Sequence, residues 1–202
     1  SLIPDSLYAE TSNDNAPIEL GMKFFSSVNG YITHIRFYKY VYLGNFTVSL
    51  WDVATKTRIS TAQVMNSTIG WNTVELPNPV AINANTLYMA SYYSATGDYY
   101  QKIKYFDSTR TSGYLTAPAG TATEPNGTYR YGSTGFPDQP KNNSIFYVDV
   151  VFTTCLAKDI IAPQVSGKLP LRNAENVPVN QPIKAYFSEN MAPTTVNNQS
   201  FY

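Results

Sequence analysis

The chain has 202 residues, room for one sandwich domain and something smaller. Its 14 basic and 14 acidic residues cancel, so it presents no electrostatic footprint for nucleic acid or an anionic membrane. A single cysteine excludes an intrachain disulfide, and no apolar run approaches the ~20 residues of a membrane-spanning helix.

Only 14% of residues are charged, and polarity comes instead from Asn, Thr and Ser, with 17 Tyr. That mixture suits strands joined by polar turns. No signal peptide is visible, and Ser1 is read as a mature or engineered start.

Alternation of period two, bounded by Gly, Asn and Pro, recurs along the chain and predicts short strands. Glu19 to Phe25 is the first, with Leu20, Met22 and Phe24 on one face. Asn29-Gly30 predicts a tight hairpin turn. Tyr31 to Tyr38 then turns Ile35 and Phe37 inward and His34, Arg36 and Tyr38 outward. Asn45 to Asp52, Arg58 to Met65, Trp71 to Leu76 and Leu87 to Tyr93 continue the pattern. Ile145 to Thr153 closes it, with Phe146, Val148, Val150 and Phe152 on one face and Cys155 expected to pack as a small apolar group at the strand end. The fold class is all-β: an antiparallel β-sandwich of jelly-roll-like form.

Ser94 to Asn143 alternates weakly and is rich in Gly, Pro, Thr and Tyr. So long a stretch in a compact domain is expected to be functional, and its aromatic content predicts order with short strands, including Gly127 to Gly132. Residues 1–155 are read as one module, 156–163 as a linker and 164–202 as a second piece, with new strands at Asn176 to Val179 and Ile183 to Phe187. The second piece is too short to close its own core and reads as the start of a longer domain.

The strings ELGMKFFSSVNGYITHIRFYK (Glu19 to Lys39), VSLWD (Val48 to Asp52), GWNTVELPNPVAINANTLYMASYY (Gly70 to Tyr93), NGTYRYGSTGFP (Asn126 to Pro137) and FYVDVVF (Phe146 to Phe152) stand in one order. Together they resemble a bacterial family known as domain of unknown function four-zero-eight-two, over roughly residues 8 to 154. AYFSENMAP (Ala185 to Pro193) resembles the start of a bacterial immunoglobulin-like domain. The resemblance implies an extracellular or cell-surface setting beside other immunoglobulin-like domains, and carries no catalytic residues.

No residue spacing points to an enzyme. The one histidine, His34, lies mid-strand, and no carboxylate pair, phosphate loop or zinc spacing stands out. Exposed tyrosines suit sugar recognition, because a ring face meets C–H groups while polar tips bind hydroxyls. The candidates are Tyr92, Tyr93, Tyr99, Tyr100 and Tyr105, then Tyr129, Arg130 and Tyr131. Adjacent tyrosines on one strand point to opposite faces, so at most one of each such pair faces the core. If first and last strands are neighbours, Asp14, Glu19 and Asp149 approach one another and offer oxygens to a structural Ca²⁺; no other cofactor is expected. The expected function is a non-enzymatic accessory module that binds a polysaccharide or surface glycan through exposed tyrosines. The alternative is a spacer or adhesin stalk with no ligand of its own.

Overall fold

The computed structural model describes residues 2–4, 10–39, 46–64, 67–156 and 163–188. The chain divides into two compact units, Ser1–Leu156 and Ala157–Tyr202; the linker expected at 156–163 lies largely outside the described residues.

In the first unit the strands are β1 (Glu10–Asn13), β2 (Ile18–Ser26), β3 (Gly30–Lys39), β4 (Phe46–Asp52), β5 (Arg58–Gln63), β6 (Gly70–Ile82) and β7 (Tyr88–Ser94). There follow β8 (Asp98–Gln101), a 3-10 turn at Tyr105–Asp107, β9 (Arg110–Ser112), β10 (Leu115–Ala117), β11 (Thr128–Tyr131), β12 (Gln139–Pro140) and β13 (Val148–Thr153). One sheet runs β12-β11-β2-β7-β4-β5, with β10 also on β2 and β9 on β10; the other runs β13-β3-β6. A two-stranded ribbon of β1 and β8 pairs with neither sheet but packs on the core through Tyr99 and Tyr100. All these pairings are antiparallel.

The core follows directly from the alternation. Leu20, Met22 and Phe24 of β2, Val48 and Leu50 of β4, and Tyr92 of β7 meet Ile32, Ile35 and Phe37 of β3 and Val148 and Val150 of β13, all of them fully buried. Phe37 ties the two sheets together: its ring stacks on Tyr92 at 5.1 Å and lies 5.2 Å from Phe46. Each such side chain contributes ~1.5–3 kcal/mol by leaving water.

Several expectations are corrected. Asn29-Gly30 closes no hairpin, because β2 and β3 belong to different sheets; Asn29 instead accepts the Ala84 N–H through its side chain at 2.8 Å. β6 runs on past Leu76 to Ile82, and the register slip opposite Thr33 absorbs Pro77 and Pro79, which cannot donate to a ladder. Phe152 falls beyond a register slip at Val151 and is only half-buried. Cys155 is exposed, past the end of β13, where Thr153 holds its backbone in a local turn.

In the second unit β14 (Val165–Leu169) pairs antiparallel with β15 (Lys184–Phe187). Asn176 to Val179 forms bends and turns rather than a strand; Asn176 takes a φ of 57° and Pro178 offers no N–H. Val165, Leu171, Val179 and Ile183 are exposed.

Candidate functional site

The predicted tyrosine platform is taken apart by the fold. Tyr92 and Tyr99 are fully buried and Tyr105 nearly so. Tyr92 points inward from β7 while its neighbour Tyr93 faces out, half-buried, between Glu19 of β2 and Thr47 of β4. Tyr100 is packed against Tyr38 at 5.0 Å and Tyr147 at 6.1 Å. Tyr105 carries the Arg110 guanidinium over its ring at 4.5 Å.

Tyr99, Tyr129 and Tyr131 do come together, around Asp14. The hydroxyls of Tyr99 and Tyr131 both donate to Asp14 Oδ2, at 2.9 and 2.6 Å. The Lys141 ammonium donates to the Tyr99 oxygen at 2.6 Å and lies 5.1 and 5.6 Å from the ring centres of Tyr99 and Tyr129. Burial pushes the Tyr99 phenol up to about 12, and the hydrogen bond to Asp14 raises Tyr131. The Tyr129 and Tyr131 rings meet edge to face, at 74°, so they present no common plane for a sugar to lie on. Arg130, one residue between them, turns to the opposite face and runs beneath Gly135, where an added Cβ would sit 2.9 Å from its guanidinium carbon.

The proposed calcium ligands are not brought together. Among the described residues no group of three His, Cys, Asp or Glu side chains is placed to hold an ion. The premise fails at the topology, because β2 and β13 lie in different sheets. Ile18 and Leu20 point into the core, so Glu19 lies on the outer face of the large sheet; Val148 and Val150 point inward, so Asp149 lies on the outer face of the other. Each has its own donors. Asp149 is fully buried and accepts the backbone N–H groups of Leu2, Ile3 and Val150 at 2.8 to 3.1 Å. Glu19 accepts the hydroxyls of Ser91 and Thr134 at 2.6 and 2.7 Å. Ser91 in turn receives the Trp51 indole N–H at 2.7 Å, and Thr134 receives Arg58 at 2.8 Å. Burial outweighs these donors and raises the Glu19 carboxyl above its ordinary value.

Sequence reasoning missed a groove of about 560 Å³ on the same outer face, within the range of small-ligand sites. Its floor is Lys23 and Leu87, one wall is Glu124 and Pro125, the other Phe136 to Asp138, and the β4–β5 turn closes one side with Val53 and Lys56. Two ammonium–carboxylate pairs border it: Lys23 with Glu124 at 3.2 Å, and Lys56 with Asp138 at 3.3 Å. Each pair joins residues 101 and 82 positions apart, so no local motif announced them.

Both walls are pinned by buried polar side chains. Asn126, 1% exposed, acts as a missing piece of strand between β10 and β11. Its side chain accepts the Lys23 N–H at 2.8 Å and donates to the Lys23 and Pro118 carbonyls at 3.1 and 2.9 Å. The Glu19 network anchors the second wall through Thr134. Gly21 lets that wall close: an added Cβ would lie 2.7 Å from the Pro137 ring.

A search of curated proteins finds no match to the chain. The model of a family described as a domain of unknown function (DUF4082) matches residues 5–148. The chain belongs to this family. Residues 159–202 match a second model, described as a bacterial Ig-like domain. A DUF4082 module joined to an Ig-like domain is a surface or structural module. Ig-like domains of this kind are typically extracellular or surface-borne, and among the described residues no helix is long and apolar enough to cross a membrane.

Proposed function

We propose that the chain is a non-catalytic accessory module of a secreted, multidomain bacterial surface protein, in which a rigid sandwich carries and spaces its neighbours. One observation carries the non-catalytic part. The buried carboxylates among the described residues, Glu19 and Asp149, face away from each other on opposite sheets, with the apolar core between them. Acids so placed can neither share a proton nor flank one scissile bond. His34 supports the same reading, since it lies on an outer strand face between Glu75 and Val151 with its Nδ1 2.9 Å from the Thr33 hydroxyl. The burial of Tyr92, Tyr99 and Tyr105 removes support from glycan binding through a tyrosine platform.

The test is an activity screen of the whole chain on chromogenic glycosides, esters and peptides. No product is expected above the rate without protein. Release of product that disappears in a Glu19→Gln, Asp149→Asn or His34→Ala variant would overturn the reading.

A further inference from the structure

We infer that the groove between residues 123–125 and 136–138 is a binding site for a neutral saccharide. The inference goes beyond the accessory-module reading, which stands whether or not the groove takes a ligand.

The charge of the groove selects the ligand class. Two ammonium groups, Lys23 and Lys56, face two carboxylates, Glu124 and Asp138, so the rim sums to zero. An anionic ligand attracted by the lysines meets the carboxylates beside them, and a cationic ligand meets the reverse. A hydroxyl does not have this conflict, because it donates to a carboxylate and accepts from an ammonium in the same geometry. Neighbouring hydroxyls on a sugar ring therefore match an ammonium and a carboxylate held 3.2 or 3.3 Å apart.

The position of Lys23 reinforces this. Its side chain is only 10% exposed, yet it lines the groove, and Glu124 engages one of the three donors an ammonium carries. The pairs do little for folding. Lys56 and Asp138 are both more than half exposed, and Glu124 is 74% exposed, conditions in which an ion pair contributes little to stability.

Val53 and Leu87, both half-buried, supply the apolar contact for the C–H face of a ring; Phe136 also lines the groove but is itself buried, with the Lys56 ammonium over its ring. Preorganisation is the last element. Asn126 fixes the Glu124 wall and the Glu19 network fixes the Phe136 wall, so a ligand orders little on arrival.

The experiment titrates the ¹⁵N-labelled full chain with maltotriose, cellotriose, xylotriose and mannotriose, and with a trimer of galacturonate as the anionic arm. At least one neutral trisaccharide is expected to shift the amides of Ala54, Lys56, Glu124 and Asp138 at concentrations up to about 10 mM. Glu124→Ala and Asp138→Ala should each weaken that binding about tenfold, and Asp138→Ala, which breaks a pair exposed on both sides, should do so with an unchanged Tm. Ala54→Trp, which puts bulk at the exposed β4–β5 turn, should abolish it. The inference is overturned if no neutral trisaccharide shifts these amides, if the shifts map elsewhere, if galacturonate binds more tightly than every neutral trimer, or if the three variants bind as the parent does.

Discussion

Replacing Asp149 by alanine is expected to release the N-terminal segment from the sandwich. The carboxylate accepts Leu2 N–H through both oxygens, at 2.9 and 3.1 Å, Ile3 N–H at 3.0 Å and Val150 N–H at 2.8 Å, all out of contact with water. If the segment stays docked without it, three buried donors lose their acceptor at ~1–3 kcal/mol each. If the segment leaves, its N–H groups reach water, but Leu2 and Ile3, now 6% and 2% exposed, give up their burial at ~1.5–3 kcal/mol each. The cheaper route sets the cost, and with the Val150 donor affected in either case the loss comes to ~3–9 kcal/mol, a large part of a typical domain's stability. Urea denaturation of the parent, Asp149→Ala, a chain lacking residues 1–3, and the combination checks this. Because both changes remove the same docking, the combination should cost little more than either alone. A loss below ~1 kcal/mol for Asp149→Ala, or additive losses in the combination, would refute the reasoning.

Glu19 gives a pH dependence of definite sign. Its native carboxyl is raised above the ordinary 4.5 by burial, so the folded state disfavours the charged form more than the open chain does, and stability rises as pH falls through the native value towards 4.5. Glu19→Gln should raise Tm at pH 8, and the difference from the parent should shrink towards pH 5. Tyr99 acts at the other end: its phenol is pushed up to about 12 by burial against 10.0 in the open chain, so the stability it contributes below pH 10 is lost between pH 10 and 12. Tyr99→Phe should flatten part of that loss in alkaline melts. Asn126→Ala leaves the Lys23 N–H and two carbonyls without their side-chain partner and should cost ~2–4 kcal/mol in urea denaturation, with Asn126→Asp recovering only the accepted bond. Gly127→Ala should unfold the chain at lower urea, because Gly127 holds a φ of 74° and an added Cβ would collide with the Ser144 carbonyl.

The strands were legible because a half-buried sheet writes itself as alternation, and Leu20, Met22, Phe24, Ile35, Phe37, Val48 and Leu50 all lie where period two places them. Sheet membership was not legible. Asn29-Gly30 has the composition of a hairpin, yet the chain passes there from one sheet to the other, and only the pairing of β2 with β7 and of β3 with β13 decides it. The calcium triad failed for the same reason, since it required β2 and β13 to be neighbours. The alternation said that Tyr92 and Tyr93 take opposite faces, but not which of them turns inward, and it had no information on which elements would cover Tyr99 and Tyr105. The groove was least legible of all, because its charged pairs close across 101 and 82 residues. Two of its walls nevertheless come from the Ser94 to Asn143 region that composition had marked as unusual.

The prolines of β6 have a consequence for molecules crowded on a surface. β6 is the last strand of its sheet and runs thirteen residues, long enough to invite a strand from a neighbouring molecule to zip alongside. Pro77 and Pro79 interrupt that template midway, withholding two hydrogen-bond donors where the register slips. A break of this kind in an edge strand is unfavourable to the continuation of the sheet into a neighbouring copy.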